Sequence, residues 1–118
     1  MIQSYEDLEV YKKSFQLAVR MYEQGKTLPK EETYGLISQM RRASVSIPLN
    51  IAEGYGKRES AAEFKRFLYM AKGSCDEMKV LIDFCKAIGY FTEEIHSELK
   101  ESYDEIGKML NGLIQKWK

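Results

Sequence analysis

The sequence predicts an all-α protein: an antiparallel up-down four-helix bundle with left-handed crossings, its second helix kinked near Pro48. Three observations lead there. Apolar side chains return at spacings of three and four through four long stretches, no segment alternates like a half-buried strand, and Pro29 and Pro48 are the only prolines among sparse turn signals. Four helices of about 21–30 residues joined by short turns must lie beside their sequence neighbours, and near-heptad spacing favours crossings of about 20°. The chain of 118 residues reads as a single domain, 1–118.

Each element has its own signals. Ser4 with Asp7 can cap a helix running from about residue 5 to Gly25, with Leu8, Tyr11, Phe15, Ala18 and Tyr22 as its core side. Thr27–Glu32 supplies a proline and two acids suited to the positive end of a second helix, whose core side is Leu36, Met40, Ala43, Ile47, Ile51 and Gly54. Within it Pro48 lacks an amide donor and crowds the Ser44 carbonyl, so a kink or early end is expected near residues 44–48. Ser60 with Glu63 forms a second capping box, followed by Phe64, Leu68, Ala71, Cys75, Met78, Ile82 and Cys85 up to Gly89. Thr92 before two glutamates opens the fourth helix, which carries Ile95, Leu99, Tyr103, Ile106, Leu110, Leu113 and Trp117 on one side.

Composition narrows the function. Eighteen basic and eighteen acidic side chains cancel, which excludes gripping a polyanion by bulk charge. No run approaches the roughly 18 apolar residues of a membrane span, and the N-terminal segment lacks the features of a secretory signal, so a cytoplasmic protein with no membrane partner is expected. The single histidine, His96, has no nucleophile nearby in the sequence. Cys75 and Cys85, ten residues apart on one helix and so about 15 Å apart, lie beyond disulfide reach and lack zinc-site spacing. Neither enzymatic activity nor a metal, cofactor or small-molecule substrate is expected.

A lone bundle needs one apolar stripe per helix, yet several helices carry two. Opposite the core side of the third helix run Arg66, Met70, Gly73, Glu77, Val80, Phe84 and Ala87, with Gly73 leaving room for a close-packed backbone. The first helix repeats this with Val10, Ser14, Leu17 and Met21, the second with Tyr34, Val45, Leu49 and Ala52. Self-association through the second and third helices follows. The second helix also bears a polar stripe of Gln39, Arg42, Ser46, Asn50 and Glu53 between apolar ones; these residues are expected to be partly buried, at a subunit contact or in a polar network that pairs Arg42 and Glu53.

The segment Gln39-Met40-Arg41-Arg42-Ala43-Ser44-Val45-Ser46-Ile47-Pro48-Leu49-Asn50-Ile51-Ala52-Glu53-Gly54 closely resembles the signature of the four helix bundle proteins first found encoded in intervening sequences of 23S ribosomal RNA genes. Tyr34-Gly35-Leu36, Glu63-Phe64, Phe67-Leu68, Ala71, Gly73-Ser74 and Gly89-Tyr90 agree, and the likeness runs from Leu8 to Leu113. The resemblance implies a ring-like homopentamer. It also implies kinship with the accessory protein of diversity-generating retroelements, a basic barrel that binds a reverse transcriptase and nucleic acid.

Local charge supplies the candidate binding residues. Between Thr33 and Lys72 seven basic side chains face three acids, a net of +4, whereas Phe91–Glu105 holds one lysine and six acids, a net of −5. Gly54-Tyr55-Gly56-Lys57-Arg58 lacks the spacing and preceding strand of a phosphate-binding loop, but its cations precede the positive end of the third helix. Arg58, Lys65, Lys72, Lys79 and Lys86 recur every seven residues; Asp76 and Asp83 neutralise the second half of that row by salt bridges, leaving the first as a phosphate track. The leading expectation is a non-enzymatic oligomer that binds structured RNA, or an RNA–protein complex, through Arg41, Lys57, Arg58, Lys65 and Lys72. The alternatives are a protein-only scaffold docking on the acidic fourth helix or on the ring, and an enzyme whose pocket opens on Arg42, Asn50 and Glu53.

Overall fold

The computed structural model describes residues 1–117 and contains, among them, four α-helices and no strand: α1 (Glu9–Gly25), α2 (Leu36–Tyr55), α3 (Ala61–Ala87) and α4 (Glu93–Lys116). They pack as an elongated all-α bundle of 44 × 24 × 22 Å. The core is built from side chains with no exposure, including Met21, Met40, Ile47, Ile51, Phe64, Leu68, Met78, Ile82, Leu99 and Leu110.

The helix ends follow local chemistry. The Ser4 hydroxyl accepts from the Glu6 amide while Asp7 Oδ2 accepts from the Ser4 amide, a complete capping box. It caps a separate 3-10 turn, Tyr5–Asp7, rather than the long helix expected from residue 5; extended backbone at Leu8 divides the two. Thr27–Glu32 likewise forms only a short turn, Lys30–Glu32, because Gly35 (φ −113°, ψ −108°) interrupts the helical path, and α2 begins at Leu36. Ser60 accepts from the Glu63 amide at 3.2 Å, but the Glu63 carboxylate turns to Arg66 at 2.9 Å instead of closing the box. α3 ends on Gly89 (φ +89°): Tyr90 donates to the Cys85 carbonyl at 2.8 Å and Gly89 to that of Lys86 at 3.1 Å, the paired closure that only a residue tolerant of positive φ makes cheaply. α2 continues through Pro48 to Tyr55 and does not end early.

Two packing details differ from the sequence reading. On α1 the expected outer stripe, Val10, Ser14, Leu17 and Met21, is buried; of the expected core side Leu8 and Ala18 are buried too, whereas Phe15 and Tyr22 are each 50% exposed. On α4, Ile114 is buried where Leu113, half-buried, was expected. The polar stripe of α2 is also more open than expected: within the chain Gln39, Arg42 and Glu53 are exposed, and Arg42 and Glu53 form no ion pair among the described residues. Only its centre is enclosed. The Ser46 hydroxyl lies 2.5 Å from that of Ser74 on α3, and Asn50 Nδ2 donates to the Ser46 carbonyl at 2.8 Å.

Candidate nucleic-acid interface

The five predicted phosphate-binding residues divide into two groups. Arg41 lies in the N-terminal half of α2, fourteen residues and so about 21 Å along the axis from the helix end at Tyr55, beyond which Lys57 follows. Its guanidinium lies 3.8 Å from the Tyr22 ring centroid and donates to the Tyr22 carbonyl at 3.0 Å. That carbonyl belongs to the last turn of α1, which otherwise ends without a basic side chain, so Arg41 satisfies the negative end of a neighbouring helix. Arg41 is thus engaged with α1 and set apart from the other four.

Lys57, Arg58, Lys65 and Lys72 gather at the opposite end, on the α2–α3 turn and the first half of α3. Arg58 donates to the Tyr55 carbonyl at 2.9 Å and stacks on its ring, while Lys57 lies 4.9 Å from the Phe67 centroid. Both charges stay at the surface. None of the four forms an ion pair among the described residues.

The rest of the lysine row behaves differently. Lys79 bridges Asp76 at 3.7 Å and Asp104 at 3.2 Å, and Lys86 meets Glu93 at 2.6 Å, so its neutralisation comes largely from α4. The hydrogen bond from Lys86 holds the Glu93 carboxyl below its ordinary range. α4 is matched on its other flank too, where Lys13 reaches Glu105 at 2.6 Å and Arg20 pairs with Glu98. These exposed pairs add little stability, but they give partners to four of the six acids in Phe91–Glu105, leaving Glu94 and Glu101 without an ion pair among the described residues.

His96 Nε2 lies 2.7 Å from Asp83 Oδ1, and Lys100 donates to both oxygens of the same carboxylate at 2.9 Å. Asp83 is pulled below the ordinary aspartate value of 3.8, first by Lys100 and then by His96. A depressed native value means that this cluster stabilises the fold above the ordinary carboxylate range and loses its effect as pH falls through the native value. Because the Asp83 side chain is 53% exposed, solvent screening keeps the contribution below about 1 kcal/mol. Asp83→Asn is expected to flatten the acid limb of the stability–pH curve while changing neutral-pH stability by less than about 1 kcal/mol, as read by urea titration across the acid range.

The other chemical candidates are enclosed. The Cys75 and Cys85 thiols are buried and free, and burial pushes both up to about 11. No group of metal-binding side chains occurs among the described residues, and no helix is long and apolar enough to cross a membrane. Three of the surface grooves are well formed, and these three are not lined by Arg42, Asn50 or Glu53. The most apolar, about 430 Å³, runs between the outer sides of α1 and α2, along Phe15, Val19, Tyr22, Val45 and Leu49. A second exposed apolar strip follows Met70, Val80 and Phe84 on α3, around Gly73, whose missing side chain would meet nothing within 4 Å. The sequence reading also put that strip outside the core, but it assigned Phe15 and Tyr22 of the groove to the core.

No functionally curated protein matches the chain. Among solved structures it is similar to a protein of unknown function from the S23 ribosomal protein family of Bacteroides thetaiotaomicron, with 28% identity and a TM-score of 0.83 over 91% of this chain and 96% of that one. Neither that description nor the family description names an enzymatic activity. The family's sequence pattern matches residues 6–112, and with the four-helix architecture this establishes that the chain belongs to the 23S rRNA-intervening sequence protein family.

Proposed function

We propose that this chain is a non-enzymatic cytoplasmic module that self-associates and binds RNA, or an RNA–protein complex, through phosphate contacts by Lys57, Arg58, Lys65 and Lys72. One observation carries the reading: the molecule neutralises half of its lysine row with acids of α4 and leaves the other half without partners. Unpaired cations on a rigid helix are ready to release counterions from a phosphate backbone. Self-association draws support from the half-exposed apolar groove of α1–α2 and the strip on α3, more greasy surface than a monomer ordinarily leaves open. The homopentamer implied by the family resemblance would repeat the basic end around a ring, so that individually weak contacts act together. A protein-only scaffold docking on α4 is less favoured, because Glu93, Glu98, Asp104 and Glu105 already have partners.

The test is the salt dependence of binding to a folded ribosomal RNA fragment. Affinity is expected to fall steeply with salt, and replacing Lys65 and Lys72 by glutamine should reduce the log–log slope by about 1.4–1.8, or roughly 0.7–0.9 for each contact removed. An unchanged slope, or no binding at about 50 mM salt where such contacts are strongest, overturns the reading.

A further inference from the structure

α3 and α4 run antiparallel in a register set by three charge contacts: Lys86 with Glu93 at 2.6 Å, Asp83 with Lys100 at 2.9 Å and Lys79 with Asp104 at 3.2 Å. The Cys75 thiol agrees, donating to the Tyr103 carbonyl at 3.1 Å. Continued by helical periodicity, this register sets Lys72 against the turn of α4 that carries Lys108 and Asn111, with Lys65 one heptad further along. α4 has no acid after Glu105, which is itself held by Lys13. This half of the seam therefore collects lysines from both helices with no counter-charge between them, an arrangement an external anion relieves.

An aromatic ring stands in the middle of that row. Tyr69 is four residues after Lys65 and three before Lys72, so the three share one face of α3, and Tyr69 is 56% exposed. Six of the eight tyrosines have work inside the molecule. Tyr5 packs on Tyr11, Tyr22 and Tyr55 carry arginines, the Tyr90 hydroxyl donates to Glu32, and Tyr103 is buried. Tyr34 and Tyr69 have none of these contacts, and Tyr34 follows the acids Glu31 and Glu32. Tyr69 alone joins an open ring to unpaired cations.

We propose that the α3–α4 seam from Lys65 to Lys108 is a binding face for single-stranded RNA, on which one unstacked base lies on the Tyr69 ring while Lys65, Lys72 and Lys108 contact the flanking phosphates. The proposal deepens the RNA reading above and rests on it. A duplex keeps its bases stacked inside and offers only phosphates to this surface, so the aromatic ring distinguishes the two ligands.

The probes are a fluorescent single-stranded RNA of about 12 nucleotides and a duplex of the same sequence, each titrated with the full chain by anisotropy at about 50 mM salt. Tyr69→Ala is expected to weaken single-strand binding roughly 5- to 100-fold, with Tyr69→Phe close to wild type, because stacking needs the ring and not the hydroxyl. The salt slope should stay unchanged in Tyr69→Ala and fall by about 0.7 in Lys108→Gln. Three outcomes overturn the proposal while leaving the broader RNA reading intact: wild-type affinity of Tyr69→Ala for the single strand, equal binding of duplex and single strand, or a change of native mass in Tyr69→Ala, which would place the ring in a subunit contact. Absence of binding to both probes while the folded ribosomal RNA fragment is still bound overturns the proposal alone; absence of binding to that fragment as well overturns both readings.

Discussion

Phe64→Ala should destabilise the native bundle by about 3–5 kcal/mol, the cost of removing a fully enclosed aromatic side chain. Phe64 has no exposure and sits where three elements meet, with Tyr55 of α2 edge-on at 6.0 Å and Trp117 edge-on at 4.7 Å. The void would open beneath the turn that bears Lys57 and Arg58, so the loss is coupled to the basic end. Urea unfolding should show a lower midpoint with little change in slope. Trp117, the only tryptophan, gives a local check, since its emission should shift to the red as the ring loses its partner. A stability change below about 1 kcal/mol, comparable with a surface substitution, would mean that this end of the bundle is not packed as described.

Gly54→Ala should cost about 1–3 kcal/mol even though alanine is the better helix former, because overpacking outweighs a propensity gain of about 1 kcal/mol. A methyl group at Gly54 would stand 2.7 Å from Phe67 Cβ and 3.3 Å from the Phe64 carbonyl oxygen, and neither atom can swing aside as a flexible side-chain tip can. The glycine is what allows α2 and α3 to approach closely at Phe64 and Phe67, about two turns along from the Ser46–Ser74 contact. Gly73→Ala supplies the opposite sign. Nothing lies within 4 Å of its added methyl, so the isolated subunit should gain up to about 1 kcal/mol from helix propensity alone. If Gly73 admits a neighbouring subunit, the larger Gly73→Leu should lower the native mass seen by light scattering; an unchanged mass would count against that contact.

Where the sequence was misleading, it was because two solutions satisfied the same local rule. α1 carries two apolar stripes, and spacing alone put Leu8, Tyr11, Phe15, Ala18 and Tyr22 on the core side. The stripe with a serine and smaller side chains faces inward instead, with Ser14 closing its hydroxyl onto the Tyr11 carbonyl at 3.1 Å. Periodicity shows that a stripe exists; it carries no information on which of two stripes the other helices will cover. Arg41 shows the same limit for charge. Its place beside Arg42 in a basic segment says nothing of Tyr22, nineteen residues away, whose carbonyl accepts one hydrogen bond from Arg41 and whose ring covers the face of its guanidinium.

By itself the sequence determined the four helices, the capping roles of Ser4, Ser60 and Thr92, the terminating glycine at Gly89 and the enclosed side of α3, because each depends on residues within about one or two turns of one another. The tertiary structure decided which side of α1 is buried, that Gln39, Arg42 and Glu53 stay open, and which lysines remain unpaired. Those outcomes turn on acids and rings brought close from distant parts of the chain. An ion pair such as Lys79 with Asp104 spans twenty-five residues and forms only once α3 and α4 have settled into register.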